Sequence, residues 1–186
     1  MGGGFKSLRG QLLLDGGTLG GSFFQRTVVL ICHHDAEGAF GLVLNRPAGG
    51  KLGELVVADL PEVLKEEPVY LGGPVQPSAF SYLHTEPGLA EPNVMPCVAL
   101  GHSLDSLVEL AEGFSSTRKV RVFAGYSGWS PGQLESEMRR KAWLTHPASV
   151  ELVFHTETEW LWKRILARKG WQERLLAEGP EDFSWN

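Results

Sequence analysis

Residues 120–135 constrain this chain more than any other stretch. Val120, Val122 and Ala124 alternate with Arg121 and Phe123, the period-two pattern of a half-buried strand. The run Gly125-Tyr126-Ser127-Gly128-Trp129-Ser130-Pro131-Gly132-Gln133-Leu134-Glu135 follows. It reads as the end of a strand, a tight glycine turn and the start of a helix. Gly125 and Gly128 admit backbone angles that a side chain forbids. Ser130 is placed to cap the helix, Pro131 suits the first helical position, and Gln133 stands where a capping box wants Glu or Gln. Gly132 is the exception, since glycine costs roughly 1 kcal/mol against Ala in a helix interior. That cost is expected if something must approach the helix end.

The chain has 186 residues, which fits one domain with a proper core. Its net charge of -5 argues against non-specific nucleic-acid binding, which rests on clustered Lys and Arg. No apolar run approaches membrane-spanning length, and Met1 to Arg9 carries no hydrophobic signal core. Two cysteines, Cys32 and Cys97, are too few for a disulfide framework, and both sit in apolar, strand-like runs. The expectation is a cytoplasmic protein with two buried thiols.

Taken in order, Gly10 to Leu14 reads as a short strand, and the glycine-rich stretch Asp15 to Ser22 as a loop. Arg26 to His33 contains the unbroken run Val28 to Ile31, which predicts a strand buried on both faces. Asp35-Ala36-Glu37-Gly38 supplies turn chemistry, and Phe40 to Asn45 forms the second arm of an antiparallel hairpin. Leu52 to Val57 suits a short helix, continued by Glu62 to Glu66 after Pro61. Val69 to Leu71, Phe80 to His84 and Cys97 to Leu100 read as brief strands, with a loop from Pro87 to Pro96. Ser103 is placed to cap a helix through Glu112, whose buried face is Leu104, Leu107, Val108 and Ala111. After Pro131, Leu134, Met138 and Ala142 make a core stripe, and Trp143-Leu144 close that helix. Val150 to Phe154 is expected as a final strand and Glu157 to Lys169 as an amphipathic helix. The tail from Trp171 reads as a short helix fraying by Pro180. Strands arriving both as hairpins and between helices imply a mixed sheet.

Several groupings invite chemistry. Cys32-His33-His34-Asp35 contains metal-ligand types, but neighbours on a strand face opposite ways and no second pair follows at zinc spacing. A buried thiol beside a turn-proximal His is the simpler reading. Cys32 and Cys97 as a redox pair lack a setting that would lower a thiol pKa. Gly125-Tyr126-Ser127-Gly128 lacks the spacing of a nucleophile elbow, and Ser127 has no assignable base among His84, His102 and His146. Gly72-Gly73-Pro74 is too short for a phosphate loop and reads as a chain reversal. Glu135 and Glu137, two apart on a helix, point away from each other and read as solvated charges. The 125–135 turn is the strongest candidate: a helix start with free N–H groups accepts an anion or a carbonyl, and Trp129 offers a stacking wall. Against this, Ser130 and Gln133 also suit a purely structural staple with Trp129 in the core.

Ala39-Phe40-Gly41-Leu42-Val43-Leu44-Asn45-Arg46-Pro47, Gly72-Gly73-Pro74-Val75, Leu83-His84, Ser103-x-Asp105 and the 125–137 motif with Trp143-Leu144 together resemble the AlgH/YqgE family. The resemblance runs from about Gln11 to Trp162. It implies a bacterial cytosolic protein with a coiled, bifurcated mixed sheet flanked by helices. Family members are often labelled transcriptional regulators, without a biochemical activity attached to the fold. Many carry Asp-Pro before a Phe-x-Arg-[Ser/Thr]-Val-Val strand. Here Gly21-Ser22 stand in that position, ahead of Phe24-x-Arg26-Thr27-Val28-Val29, so no role rests on an acid in that loop.

A helix-turn-helix needs a basic second helix after a tight turn. Neither Arg139-Arg140-Lys141 nor the set Lys163, Arg164, Arg168, Lys169 has that layout. The sequence therefore predicts one α+β domain over residues 1–186, with 171–186 as a C-terminal tail. The expected activity is a ligand- or partner-binding module with an indirect regulatory role, using Tyr126, Gly128, Trp129, Ser130, Gly132 and Gln133. An unknown small molecule or protein is the expected partner, with no metal, no cofactor, no direct DNA contact and no membrane. The alternative is an enzyme of unknown class, weakly hydrolase-like, working in the cleft beside the same turn.

Overall fold

The run Val28–Ile31 is fully buried because its strand has packed structure on both faces. The computed structural model describes residues 6–86, 91–113, 119–155, 157–170, 176 and 179. In chain order its elements are β1 (Gln11–Asp15), β2 (Val28–Asp35), β3 (Gly38–Val43), β4 (Pro47–Lys51), α1 (Leu52–Leu55), α2 (Glu62–Lys65), β5 (Pro68–Leu71), β6 (Val75–His84), β7 (Ala99–Gly101), α3 (Leu104–Glu112), β8 (Val120–Trp129), α4 (Gln133–Arg139), β9 (Trp143–Pro147), α5 (Val150–Val153) and α6 (Thr158–Ala167). The class is α+β, with a mixed open sheet ordered β4-β5-β8-β3-β2-β1-β9 and β6, itself paired to β7, also joined to β8. The β5–β8 pairing is parallel and the others are antiparallel.

β8 is where the sheet divides. Its residues Val122 to Ala124 pair with β5 and with β6, while Ser127 to Trp129 pair with β3. Gly72 lies in the fork: its N–H donates to the Ala124 carbonyl, and its carbonyl accepts from Val43 N at 2.9 Å and Ser127 Oγ at 3.0 Å. The backbones here are too close for side chains. A Cβ at Gly73 would overlap the Tyr126 carbonyl, and one at Gly125 would stand 2.6 Å from the Gly73 carbonyl oxygen. Gly125 also has φ +70°, a left-handed angle that lets the strand bend and continue.

Three apolar clusters follow. Leu12, Leu14, Leu30 and Leu42 pack against Leu161 and Ile165 of α6 on one face. Leu13, Val29, Ile31 and Val43 pack against Leu134 of α4 on the other, with Trp129 and Trp143. The β5–β6–β8 branch is covered by Leu52, Leu64, Leu107 and Leu110 from α1, α2 and α3. Arg121 ties the branch back: buried, it donates to the carbonyls of Leu44 and His155 and lies 4.5 Å over the Tyr70 ring.

The hairpin of β2 and β3 is antiparallel as expected, shifted two residues so that Asp35 faces Gly38. Ser103 caps α3 by accepting from Ser106 N at 3.2 Å, and Leu110 joins its buried face. Elsewhere the structure corrects the sequence reading. Residues 125–129 make no tight turn; they continue β8, because pairing with β3 holds them extended. Trp143 and Leu144 open a strand paired with β1 rather than closing a helix. Val150–Val153 is helix, not strand, with Ser149 accepting from Leu152 N at 3.3 Å. Cys32 is buried but Cys97 is exposed, at φ +66°; the two do not form a buried pair of thiols. The tail expected from Trp171 lies almost wholly outside the described residues, as do residues 87–90 of the predicted loop.

His84, at the end of β6, is buried, and its Nδ1 finds no hydrogen-bond partner among the described residues. Burial pulls its pKa below the ordinary 6.5, against a smaller upward pull from Glu86. The folded state thus binds this proton less readily than the unfolded chain. Stability is present above about pH 6.5 and is lost as pH falls below it. His146 is shifted the same way, by burial and then by Lys169 and Arg168, so it shares that window. Thermal melts between pH 7 and pH 5 should show Tm falling on acidification, with a shallower fall in His84→Leu. Equal slopes in the two proteins would contradict this.

Candidate functional site

Glu137 on α4 gathers the 125–135 region. One carboxylate oxygen accepts from Trp129 Nε1 at 2.9 Å and from Trp143 Nε1 at 2.8 Å. The other accepts from Gln133 Nε2 at 3.0 Å, and Gln133 Oε1 in turn accepts from Ser130 N at 3.0 Å. Trp129 ends β8 and Trp143 begins β9, so a single side chain bridges two strands and the helix between them. The indoles lie edge to face, 6.2 Å between centroids, with Phe24 5.6 Å from Trp143. Such pairs add about 0.5–1.5 kcal/mol beyond burial. Beside them opens a cleft of about 410 Å³, walled by Leu19, Phe24, Trp129, Ala142 and Trp143 and rimmed by Gln133, Glu137 and Arg140.

Of the six residues singled out from sequence, Gly128, Trp129 and Gln133 line this cleft. Tyr126 does not: it packs with the cluster on the opposite sheet face, stacked on Phe40 at 5.0 Å. Read as a strand, 126 and 129 necessarily face opposite ways. Ser130 does not cap the helix with its side chain. α4 starts at Gln133, and the capping position is held by Gly132 at φ +75°. That angle accounts for the glycine, with nothing within 4 Å of the site a Cβ would take. No approaching molecule is needed to explain it.

Both glutamates are engaged rather than merely solvated. Glu135 bonds His34 Nε2 at 3.0 Å, and His34 Nδ1 accepts from Leu8 N at 3.0 Å, which places the ring proton on Nε2. His33 bonds Asp35 at 2.8 Å, so the Cys32–Asp35 run is divided among separate partners. No group of three His, Cys, Asp or Glu side chains suited to a metal occurs among the described residues. Ser127 is fully buried with its hydroxyl on the Gly72 carbonyl, a fork residue and not a nucleophile. The spacing of Trp129, Glu137 and Trp143 was the available signal for the clamp. It becomes readable only once the two tryptophans are placed on strands.

A family model described as AlgH-like matches residues 12–174. The chain belongs to the AlgH-like family. A UPF0301 protein of Chlorobium luteolum is 37% identical over 175 residues, covering 92% of this chain and 91% of that protein. Its counterpart in Chlorobaculum tepidum is 38% identical, with 92% of each chain covered. The solution structure of AlgH from Pseudomonas aeruginosa matches with a TM-score of 0.73 and 30% identity, over 97% of this chain and 98% of that one. A crystal structure of a Corynebacterium diphtheriae protein has a TM-score of 0.75 at 21% identity, over 93% of each chain, a likeness of fold alone. The AlgH structure shares the overall fold of this chain. In this AlgH-like chain the Gly72-Gly73-Pro74 motif is the fork itself. Asn45-Arg46-Pro47 lies in a second, larger cleft. No helix among the described residues is long and apolar enough to cross a membrane.

Removing Glu137 leaves two indole N–H groups without their charged acceptor, at about 1.5–3 kcal/mol for such a bond. Glu137→Ala should lower stability by about 3 kcal/mol and weaken the near-ultraviolet circular dichroism of the tryptophans, with Glu137→Gln intermediate. Wild-type stability and spectrum in Glu137→Ala would show that the clamp holds nothing.

Proposed function

We propose that this chain is a cytoplasmic, non-catalytic module that binds a small molecule or a partner's side chain in the Trp129–Trp143 cleft. Any regulatory effect then passes through that ligand or partner rather than through direct contact with DNA. The observation that carries this reading is the full engagement of Glu137. A carboxylate holding three N–H donors orients two aromatic rings ahead of any ligand and is a poor vehicle for proton transfer. An apolar cleft with a few polar groups at its rim fits recognition of a flat or branched apolar group. The compartment and the absence of direct DNA contact rest on the composition and charge set out above.

The test is native mass spectrometry of protein purified from cells under gentle conditions. Wild type should carry a co-purified species that is absent from Ala142→Phe, where the larger side chain fills the cleft. A wild type with no bound species, or one retained equally by Ala142→Phe, would count against the site. The purified protein should also leave duplex DNA unshifted in gels at physiological salt. Tight, sequence-selective shifts would overturn the indirect reading.

A further inference from the structure

The larger cleft, about 730 Å³, lies between the loop before β2, the segment Asn45–Pro47 and the outer face of α6. Its chemistry differs from that of the tryptophan cleft. Among the described residues, Arg26, Arg46 and Lys163 line it beside one lining carboxylate, Glu159, with the buried Asp15 carboxylate close enough to act on Arg46. Residues 16–34 contain no Asp or Glu at all. A chain of net charge -5 has thus placed three cations around one opening.

The cleft wall is built, not incidental. Arg26 has φ +55°, a left-handed angle that costs a long side chain free energy and persists only where the surroundings impose it. Two buried polar residues impose it. Asp15 Oδ2 accepts from Arg26 N at 2.8 Å, and Asn45 Nδ2 donates to the Arg26 carbonyl at 2.9 Å. Asn45 Oδ1 also accepts from Val28 N at 2.8 Å, which locks the turn to the first residue of β2. Arg26 itself donates to the Gly179 carbonyl and lies 5.3 Å from the Trp162 ring, so it serves as scaffold and source of field. Arg46 is half-buried, and its guanidinium donates to two neutral carbonyls, those of Gln25 and Asn45. Burial pulls its pKa down while the charge of Asp15 pulls it back up. On the facing helix, Lys163 Nζ stands 5.5 Å from the ring of Trp160, an indole 53% exposed.

We propose that this cleft binds a small phosphate monoester carrying a planar ring, a molecule of the mononucleotide class. The phosphate lies between the Arg46 guanidinium and the Lys163 ammonium, and the ring lies against Trp160. A guanidinium and an ammonium lining one cleft suit a dianion, because a fork donor and a point charge together reach several phosphate oxygens. The Trp160 indole, 53% exposed with the Lys163 ammonium over its ring, supplies the sequence-independent stacking that any base accepts. The volume is within the range of small-ligand sites. The overall negative charge disfavours a nucleic-acid polymer, whose affinity grows with the number of phosphates neutralised.

Titration calorimetry on the full chain tests this with adenosine monophosphate, phenyl phosphate, inorganic phosphate and adenosine as probes. The two ring-bearing phosphates should bind more tightly than inorganic phosphate, with adenosine without detectable heat. Arg46 also pins the Gln25 carbonyl, so the informative variants are Lys163→Gln and Trp160→Ala on the solvent side of α6, each checked for an unchanged melt. Lys163→Gln should weaken every phosphate probe about tenfold. Trp160→Ala should weaken the ring-bearing probes and leave inorganic phosphate as it was. The proposal is overturned by no binding of either ring-bearing phosphate at millimolar concentration. It is equally overturned by adenosine binding as well as its phosphate, by affinities unchanged in both variants, or by a single-stranded oligonucleotide binding more tightly than the monophosphate and independently of Trp160.

Discussion

The close passage of Gly72-Gly73 across Gly125–Ser127 is the constraint on which the rest of the molecule depends. At that point β8 exchanges one set of partners for another, and the backbones meet with no room for a Cβ. Because the chains touch, polar backbone groups that a fork would leave orphaned are paired: Gly72 serves Ala124 and Val43, and Ser127 adds its hydroxyl to the same carbonyl. The passage also makes one body of three apolar clusters. The branch under α1, α2 and α3 is further held to the main sheet by Tyr70, Leu83 and Phe123, which pack in the same cluster as Leu30 and Leu42, and by the Arg121 bonds to the carbonyls of Leu44 and His155.

The two clefts lie where the chain enters or leaves strands of this sheet. The tryptophan cleft forms where β8 leaves its pairing with β3 and turns into α4, and Glu137 fixes its walls by satisfying two indoles with one oxygen. The cationic cleft forms where the chain enters β2 and leaves β3, and Asp15 and Asn45 fix it by holding the backbone at Arg26. In both, a polar side chain orders a neighbour that would otherwise sample several conformations. That is pre-organisation, which lowers the entropy lost on binding.

How much of this could be read in the sequence depended on how local the deciding interaction was. The β2–β3 hairpin was legible because an unbroken apolar run and a short turn-forming tetrapeptide lie side by side. The Ser103 cap was legible because its partner is three residues away. The continuation of β8 through Gly128 was not, since Phe40 and Gly41, which hold it extended, are more than eighty residues distant. Val150–Val153 illustrates the ambiguity of short apolar runs, decided here by a single capping serine. Three residues of the tryptophan cleft, Gly128, Trp129 and Gln133, are legible in the sequence. Glu137 reads as surface charge in the sequence because its partners Trp129 and Trp143 reach it only from the ends of two strands. The cationic cleft is not legible in the sequence, although Arg26 and the Asn45-Arg46-Pro47 motif stand out in it, because no local spacing brings residues 26, 46 and 163 together.

The fork is tested most directly by comparing the thermal stability of Gly73→Ala with that of Gly20→Ala, a glycine whose added Cβ meets nothing within 4 Å. If the backbone passage organises the fold, Gly73→Ala forces two main chains apart. It should then cost at least about 2 kcal/mol, a fall in Tm of roughly 5 °C or more for a chain of this size. Gly20→Ala should stay within about 1 °C of wild type. A Gly73→Ala protein that melts where Gly20→Ala does would contradict the account.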